Sequence, residues 1–167
     1  MVVELAVIYG VTGVALSASH QDFLAALPLI PILAWISKTD LKSQTIPDPA
    51  IIMLTVFGLA HGILTRAPSL PADLFCAFGA VICLYFAGEL IWRRKGVDAL
   101  GVGDVKLIGA GFLVVGAPFA WLMIVLASVG GIVAAMLTAR QEDHGIPFGP
   151  FLAYAIFVTF LIAGLPA

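Results

Sequence analysis

The chain has 167 residues, of which 62% are hydrophobic and 11% are charged, and its formal net charge is −2. This composition lies far outside the range of soluble domains, and the small net charge gives no reason to expect nucleic acid as a partner. Because one membrane crossing needs about 20 apolar residues of helix, the chain has room for roughly six or seven crossings and little else. We therefore predict an all-α, polytopic membrane helix bundle of roughly six to seven transmembrane helices, forming a single domain over residues 1–167.

Apolar runs along the chain predict where these helices lie. They cover residues 2–19, 23–39, 49–65, 71–92, 103–116, 118–139 and 148–165. The run 103–116 is one of the seven candidate crossings but is short for a full one, so one half of a helical hairpin with 118–139 and a re-entrant segment are the alternatives to a crossing. The first run also fits a cleaved signal peptide, but its start carries no Lys or Arg, which favours a retained helix.

The positions of lysine and arginine predict the orientation of the bundle. If the N-terminus is cytoplasmic, all basic residues except Arg66 fall on the cytoplasmic side, in agreement with the positive-inside rule. The loops at 40–48, 93–102 and 140–147 are then cytoplasmic, and the loop near 66–70 faces the opposite side.

Two acidic stretches stand at the predicted cytoplasmic ends of apolar runs. The first is TDLKSQTIPD at 39–48, and the second is GVGDVKL at 101–107. Each contains an aspartate, an aliphatic residue and a lysine in succession, which places Asp40 and Asp104 in matching positions. An aspartate at a membrane helix usually faces the bundle interior or a wet cavity, because exposing it to hydrocarbon is costly. Alternatively, each aspartate only marks a helix end at the interface.

A pair of such carboxyl groups has a chemistry of its own. Two carboxyls held close together share a proton, so one can activate water as a general base while the other donates to a substrate carbonyl. This is the mechanism of aspartic peptidases, and it requires neither a metal nor another cofactor. The sequence contains no cluster of Cys and His with metal-ligand spacing and no convincing Ser–His pairing, so we predict no metal site.

Three local features accompany these stretches. Gly101 and Gly103 lack side chains, so a peptide could approach Asp104 closely there. Asp48 stands directly before a proline, which is typical of a helix N-cap followed by proline at the first helical position. The segment GLAHG at 58–62 has the GxxxG spacing that lets two membrane helices approach closely.

The GxGD motif with the lysine and leucine that follow it, the upstream DLKSQTIPD and the segment IPFGPFLA at 146–153 together resemble the type IV prepilin peptidases. These are polytopic aspartic peptidases of the GxGD kind, and the resemblance covers the chain from 23 to 165. It implies that Asp40 and Asp104 form the catalytic pair. The other motif residues predicted to support the site are Lys42, Asp48, Gly101, Gly103, Lys106, Gly149 and Pro150.

The resemblance also implies a substrate and a location. Prepilins would be cleaved at the cytoplasmic face of the bacterial inner membrane, among membrane lipid, with pseudopilin precursors as further candidate substrates and no nucleic acid involved. Full-length members of the family carry an N-terminal cytoplasmic domain with paired CxxC motifs and methylate the new pilin N-terminus. This sequence resembles the short form found in Flp (tight-adherence) pilus systems, so we expect no methyltransferase activity.

Two other kinds of function remain to be compared with peptidase activity. A small transporter coupled to protons or cations would need polar residues deep in several spans, whereas the acids here cluster at one predicted face. A structural assembly subunit would leave the two Asp-x-Lys motifs unexplained. The peptidase is therefore the favoured interpretation.

Overall fold

The computed structural model describes residues 2–16, 24–96, 101–138 and 147–164. In this part of the chain all regular structure is helical, which confirms the predicted all-α class. The helices are α1 (Val2–Leu16), α2 (Leu29–Ser43), α3 (Asp48–Thr65), α4 (Leu70–Lys95), α5 (Val102–Val115), α6 (Ala117–Thr138) and α7 (Gly149–Ala163). Each predicted apolar run thus corresponds to one helix, although α2 begins at Leu29 and ends beyond the predicted residue 39.

Three of these helices are long and apolar enough to cross a membrane. They are α3, α4 and the Ala117–Met136 part of α6. The chain is therefore an integral membrane protein. The helices α1, α2, α5 and α7 have 14 or 15 residues, which corresponds to about 21–23 Å of helix. The total of six to seven crossings stays a prediction.

The short helix α5 lies in the middle of the bundle. It packs against α3, α4, α6 and α7, and most of its residues from Val105 to Val115 are buried. Because protein rather than lipid surrounds α5, the thickness of the bilayer does not dictate its length. Gly116 alone joins α5 to α6, with a φ of 83° that favours glycine. The two helices also contact each other, as the helical hairpin among the predicted arrangements requires, and a full crossing by α5 stays a prediction.

The GxxxG segment in α3 brings that helix close to α5. A Cβ added to Gly58 would lie 2.9 Å from the backbone carbonyl carbon of Leu113 and from the backbone nitrogen of Val114. Only a glycine therefore allows α3 and α5 to pack at this distance, as the spacing predicted. The second glycine, Gly62, faces the side chain of Leu70 at the start of α4 instead.

Gly58→Ala should destabilise the bundle by about 1–3 kcal/mol, because the added methyl group pushes two backbones apart. Gly79→Ala is the matched control, since a Cβ at Gly79 in α4 would meet nothing within 4 Å. That control should be neutral or stabilising by up to about 1 kcal/mol, because alanine is the better helix former. Thermal unfolding in detergent measures both effects. Equal melting temperatures for the two variants would contradict the close packing at Gly58.

The bundle has two polar ends. At one end the loop between α3 and α4 meets the junction of α5 and α6, where Arg66 pairs with the buried Asp73. At the other end the C-terminal turn of α2 meets the first turns of α3, α5 and α7, and a polar pocket opens there. Between the two ends the core consists of apolar side chains such as Leu33, Leu54 and Ile156.

Candidate active site

A pocket of about 340 Å³ opens at the second of these ends. The C-terminal end of α2, the loop that follows it and the first turns of α3 and α5 form its walls. It is lined by Asp40, Gln44, Thr45, Ile46, Asp48, Gly101, Val102, Gly103, Asp104 and Lys106. The fold therefore brings the two acidic stretches of the sequence together in one cavity, as the paired-carboxyl hypothesis requires.

The position of Asp40 follows from the apolar face of α2. Leu33, Ile36 and Ser37 are fully buried on the helix face that packs against α7 and α1, and Asp40 continues this face one turn further. The residue is only 5% exposed. The helix ends soon afterwards because Gln44 adopts a left-handed conformation, with φ at 50°, and its backbone N–H donates to the carbonyl oxygen of Asp40.

The carboxylate of Asp40 accepts a hydrogen bond from the start of α7. The backbone N–H of Gly149 donates to Oδ2 of Asp40 across 2.9 Å. A Cβ at Gly149 would lie 2.8 Å from the same oxygen, so the contact depends on glycine. Pro150 occupies the first turn of α7, where its missing N–H removes no helical hydrogen bond. Gly149 thus contacts Asp40 directly and Pro150 follows it in the same turn, although neither lines the pocket, and their supporting role stays a prediction.

Asp104 lies in the first turn of α5 and is half-buried. A Cβ at Gly101 would stand 3.1 Å from its carboxylate, and a Cβ at Gly103 would stand 3.2 Å from the side chain of Ile46. These glycines therefore make room for the protein's own groups. The first accommodates the carboxylate of Asp104, and the second lets the loop between α2 and α3 lie against α5. The approach of a backbone or extended peptide to Asp104 at these glycines stays a prediction.

The N-cap role predicted for Asp48 is wrong. The helix α3 begins at Asp48 itself, no side chain caps it, and the carbonyl oxygen of Pro47 accepts hydrogen bonds from the first-turn amides. The carboxylate of Asp48 pairs with Nζ of Lys106 at 2.8 Å. This ion pair links α3 to α5 at the rim of the pocket, where the side chains are 67% and 47% exposed.

Some lining residues were not predicted, and one predicted residue besides Gly149 and Pro150 does not line the pocket. Lys42 is exposed on α2 and does not line the pocket. Gln44, Thr45, Ile46 and Val102 do line it. All four stand inside the two acidic stretches, so their proximity to the aspartates along the chain was the available signal.

Burial changes the pKa of both carboxyl groups, which lie outside the three candidate spans. Burial raises the pKa of Asp40 above its ordinary value, and the hydrogen bond from Gly149 acts in the opposite direction. Burial, with the charge of Asp40 as the second cause, raises the pKa of Asp104 to about 6. The pair therefore retains a proton at pH values where isolated aspartates are ionised. General acid–base catalysis by two carboxyl groups needs this state.

Asp104→Asn should raise thermal stability at neutral pH. A carboxyl whose pKa rises from 3.8 in the unfolded chain to about 6 in the folded protein favours folding most at low pH. That contribution is lost as pH rises through about 6, whereas an amide does not titrate. Melting temperatures of the variant and the unmodified protein in detergent should therefore diverge between about pH 4 and about pH 6.

The matched control for this measurement is Asp48→Asn, which replaces an exposed carboxylate at the rim of the same pocket. Its melting temperature should follow that of the unmodified protein in this pH range. If Asp104→Asn is less stable than the unmodified protein at neutral pH, burying the ionised carboxylate of Asp104 does not destabilise the folded protein as described above.

Comparison with known proteins identifies the family to which the sequence is similar. The sequence model described as the type IV leader peptidase family matches residues 27–137. The chain belongs to the type IV leader peptidase family. The matched region contains Asp40, Asp104 and every residue that lines the pocket. Gly149 lies beyond that region and joins the site through its contact with Asp40.

Several relatives named "Prepilin leader peptidase/N-methyltransferase" are similar to the chain. The protein from Aeromonas hydrophila is 32% identical over 83% of this chain and 49% of its own length. The one from Stutzerimonas stutzeri is 32% identical over 86% and 53%, and the one from Escherichia coli K12 is 28% identical over 74% and 56%. The chain therefore spans about half the length of these family members. No solved structure matches it significantly.

Proposed function

We propose that this protein is an aspartic endopeptidase that removes the leader peptide of type IV, Flp-like prepilins at the cytoplasmic face of the bacterial inner membrane. One observation carries the proposal: Asp40 and Asp104 stand in separate motifs, yet they line the same pocket at the polar edge of an apolar bundle. Family membership and the name shared by the relatives support the same activity.

The chemistry follows from the pair of carboxyl groups. One carboxylate takes a proton from water, the water oxygen attacks the carbonyl carbon of the scissile peptide bond, and the protonated carboxyl donates to the carbonyl oxygen. Collapse of the resulting gem-diol breaks the carbon–nitrogen bond, and the leaving amine takes up a proton. No step needs a metal ion. A prepilin joins a charged leader to a hydrophobic helix, so its scissile bond reaches the membrane edge, where the pocket opens.

The proposal extends to the reaction products. We expect no methyl transfer to the new pilin N-terminus, because the two cysteines of this chain, Cys76 and Cys83, are separated along α4 and form no paired CxxC motif. Pseudopilin precursors are further candidate substrates, because they share the arrangement of a charged leader before an apolar helix. We also propose that residues 1–167 act as a single domain.

A transporter coupled to protons or cations fits the structure less well. It would need ionisable groups along a path through the bundle. Within the described residues the buried charged side chains are Asp40 and Asp73, which lie at opposite ends. The apolar core between these ends offers no such path in the described part of the chain.

Co-expression with an Flp-like prepilin tests the proposal. Leader removal should appear as a shift to lower mass on a gel, and mass spectrometry of the product should locate the cut and show an unmethylated N-terminus. Purified protein should retain this activity in EDTA and after treatment with serine-directed reagents. An activity that EDTA abolishes and zinc restores would exclude the aspartic mechanism, and an intact leader in every prepilin tested would exclude the function.

The orientation of the bundle can be measured with single cysteines in a background that lacks Cys76 and Cys83. Ser43 ends α2 beside the pocket, and Ser69 precedes α4 at the opposite end, and both are exposed. From the Lys and Arg bias we expect an impermeant thiol reagent to label Ser69→Cys in intact cells. Ser43→Cys should be labelled only after the membrane is permeabilised. The reverse pattern would move the proposed site to the outer face.

A further inference from the structure

We propose that the backbone N–H of Gly149 divides the roles of the two aspartates: it holds the negative charge on Asp40, which activates the water, and leaves the shared proton on Asp104, which protonates the substrate. This inference rests on the proposed function and deepens it by identifying Gly149 as a positioning residue. It goes beyond the pairing of two carboxyls, because a symmetric pair would not determine which member is the base.

The asymmetry begins with the hydrogen bonds. Gly149 is the first residue of α7, and its N–H donates to Oδ2 of Asp40 across 2.9 Å. A hydrogen bond from an amide favours the charged form of a carboxyl, and the positive end of the helix dipole acts in the same direction. Among the described residues, no amide or side chain donates a hydrogen bond to the carboxyl of Asp104. Within the part of the chain that the structure describes, Asp40 is thus the member of the pair with a hydrogen-bond donor that stabilises its negative charge.

Glycine is present beside both aspartates, yet only one glycine supplies a donor. A Cβ at Gly149 would lie 2.8 Å from Oδ2 and 2.9 Å from Cγ of Asp40, so any other residue would push the start of α7 away from the carboxylate. Gly101 is similarly close to the carboxylate of Asp104, at 3.1 Å from its potential Cβ. However, its contribution there is space alone, and this difference separates the two environments.

The other charges near the pair do not create the same asymmetry. Asp48 of α3 and Lys106 of α5 face the pocket, but they pair with each other at 2.8 Å. Lys38 and Lys42 of α2 are exposed, and α7 contains no charged residue. Among the described residues, Asp104 itself is the remaining charged neighbour of Asp40, and the charge of Asp40 contributes to raising the pKa of Asp104 to about 6. This agrees with Asp40 losing its proton first.

The assigned roles close the catalytic cycle. The carboxylate of Asp40 removes a proton from water as the new carbon–oxygen bond forms, and Asp104 gives its proton to the carbonyl oxygen. In the second half, Asp40 donates the proton it gained to the leaving nitrogen as the carbon–nitrogen bond breaks. Asp104 recovers a proton from a hydroxyl group of the gem-diol. One water is consumed, and the pair returns to its starting state with the charge again on Asp40.

Replacing the amide of Gly149 by an ester tests the inference, because Gly149→glycolate removes the N–H without adding a side chain. In the proposed arrangement Asp40 is charged both when the pair holds one proton and when it holds none, so the N–H stabilises these two states alike. When the pair holds two protons, Asp40 is neutral and the N–H stabilises it less. Loss of the N–H should therefore move the acidic limb of the kcat/KM–pH profile up by about one pH unit and leave the alkaline limb in place. The matched control is Phe151→phenyllactate, since that N–H donates to the backbone of Phe148. Neither limb should move in the control.

Other outcomes overturn the inference. If the alkaline limb moves up while the acidic limb stays, the shared proton resides on Asp40 and the roles are reversed. If neither limb moves, Gly149 does not set the roles.

A second measurement separates this inference from the proposed function and does not depend on the ester variant folding. The carbon-13 signal of each remaining aspartate carboxyl can be titrated in Asp104→Asn and in Asp40→Asn. Asp40 in the first variant should titrate at lower pH than Asp104 in the second, and the reverse order would overturn the inference. If the predicted order is found in a protein that cuts no prepilin, the proposed function fails but the charge assignment stands.

Discussion

Asp40→Asn and Asp104→Asn should each abolish leader cleavage while the protein still accumulates in the membrane. An amide can neither take a proton from water nor return one, so each variant loses a general acid–base group that typically contributes about 10²–10⁴-fold. The two carboxyls act as one unit, so the double variant should be no less active than either single variant. Quantitative gels of a co-expressed prepilin, normalised to the membrane level of each variant, measure the loss.

Asp48→Asn is the matched control, because this carboxylate lines the same pocket but pairs with Lys106 at its exposed rim. Exposed ion pairs contribute at most about 1 kcal/mol, so this variant should keep most of the activity. If Asp48→Asn is as inactive as Asp40→Asn at equal expression, Asp48 belongs to the catalytic group. If Asp40→Asn still cleaves the leader, the catalytic assignment is wrong.

Arg66 lies at the end of the bundle opposite the pocket. Among the single substitutions proposed for this protein, Arg66→Ala should lower the free energy of unfolding the most. Asp73 is completely buried, and its carboxylate accepts hydrogen bonds of 2.8 Å from Nη1 of Arg66 and from the backbone N–H of Ala117. Arg66 also donates to the carbonyl oxygens of Leu113 and Val114. Removing Arg66 leaves a buried carboxylate without its counter-charge, which typically costs about 3–5 kcal/mol.

Two comparisons make this prediction specific. Arg93→Ala breaks the exposed pair of Arg93 with Glu89 on α4 and should cost less than about 0.5 kcal/mol. The double variant Arg66→Met with Asp73→Asn removes both charges while an amide oxygen can still accept from Ala117, so it should recover part of the loss. Unfolding in detergent provides the measurement. Equal destabilisation by Arg66→Ala and Arg93→Ala would show that the buried pair contributes no more than a surface pair.

The close fit around Gly116 explains why this ion pair stands where it does. The guanidinium of Arg66 covers Gly116, and a Cβ there would overlap its Nη1 atom. Arg66 and Asp73 thereby connect the loop between α3 and α4 to the tight junction of α5 and α6. The sequence had marked Arg66 only as the basic residue on the predicted outer side, and its partners became evident from the fold.

Properties that depend on patterns along the chain, such as apolar runs and short motifs, could be predicted without coordinates. The all-α class and the approximate position of every described helix followed from apolar runs, because a helix that enters lipid must be apolar over its whole length. The pairing of Asp40 with Asp104 followed from two matching motifs at the same predicted face. The close approach at Gly58 followed from the GxxxG spacing, which acts through the absence of a side chain at one position.

Partners that lie far apart along the chain and stand in no matching motifs required the folded structure. Helices that are apolar on every face carry no stripe of polarity to show which face packs against which neighbour. The donor from Gly149 to Asp40 and the pairing of Arg66 with Asp73 therefore had no counterpart in the sequence pattern. Asp48 shows the same limit. A local rule assigned its carboxylate to the amides of its own helix, but the fold brings Lys106 to 2.8 Å from it, and a cation is the stronger partner.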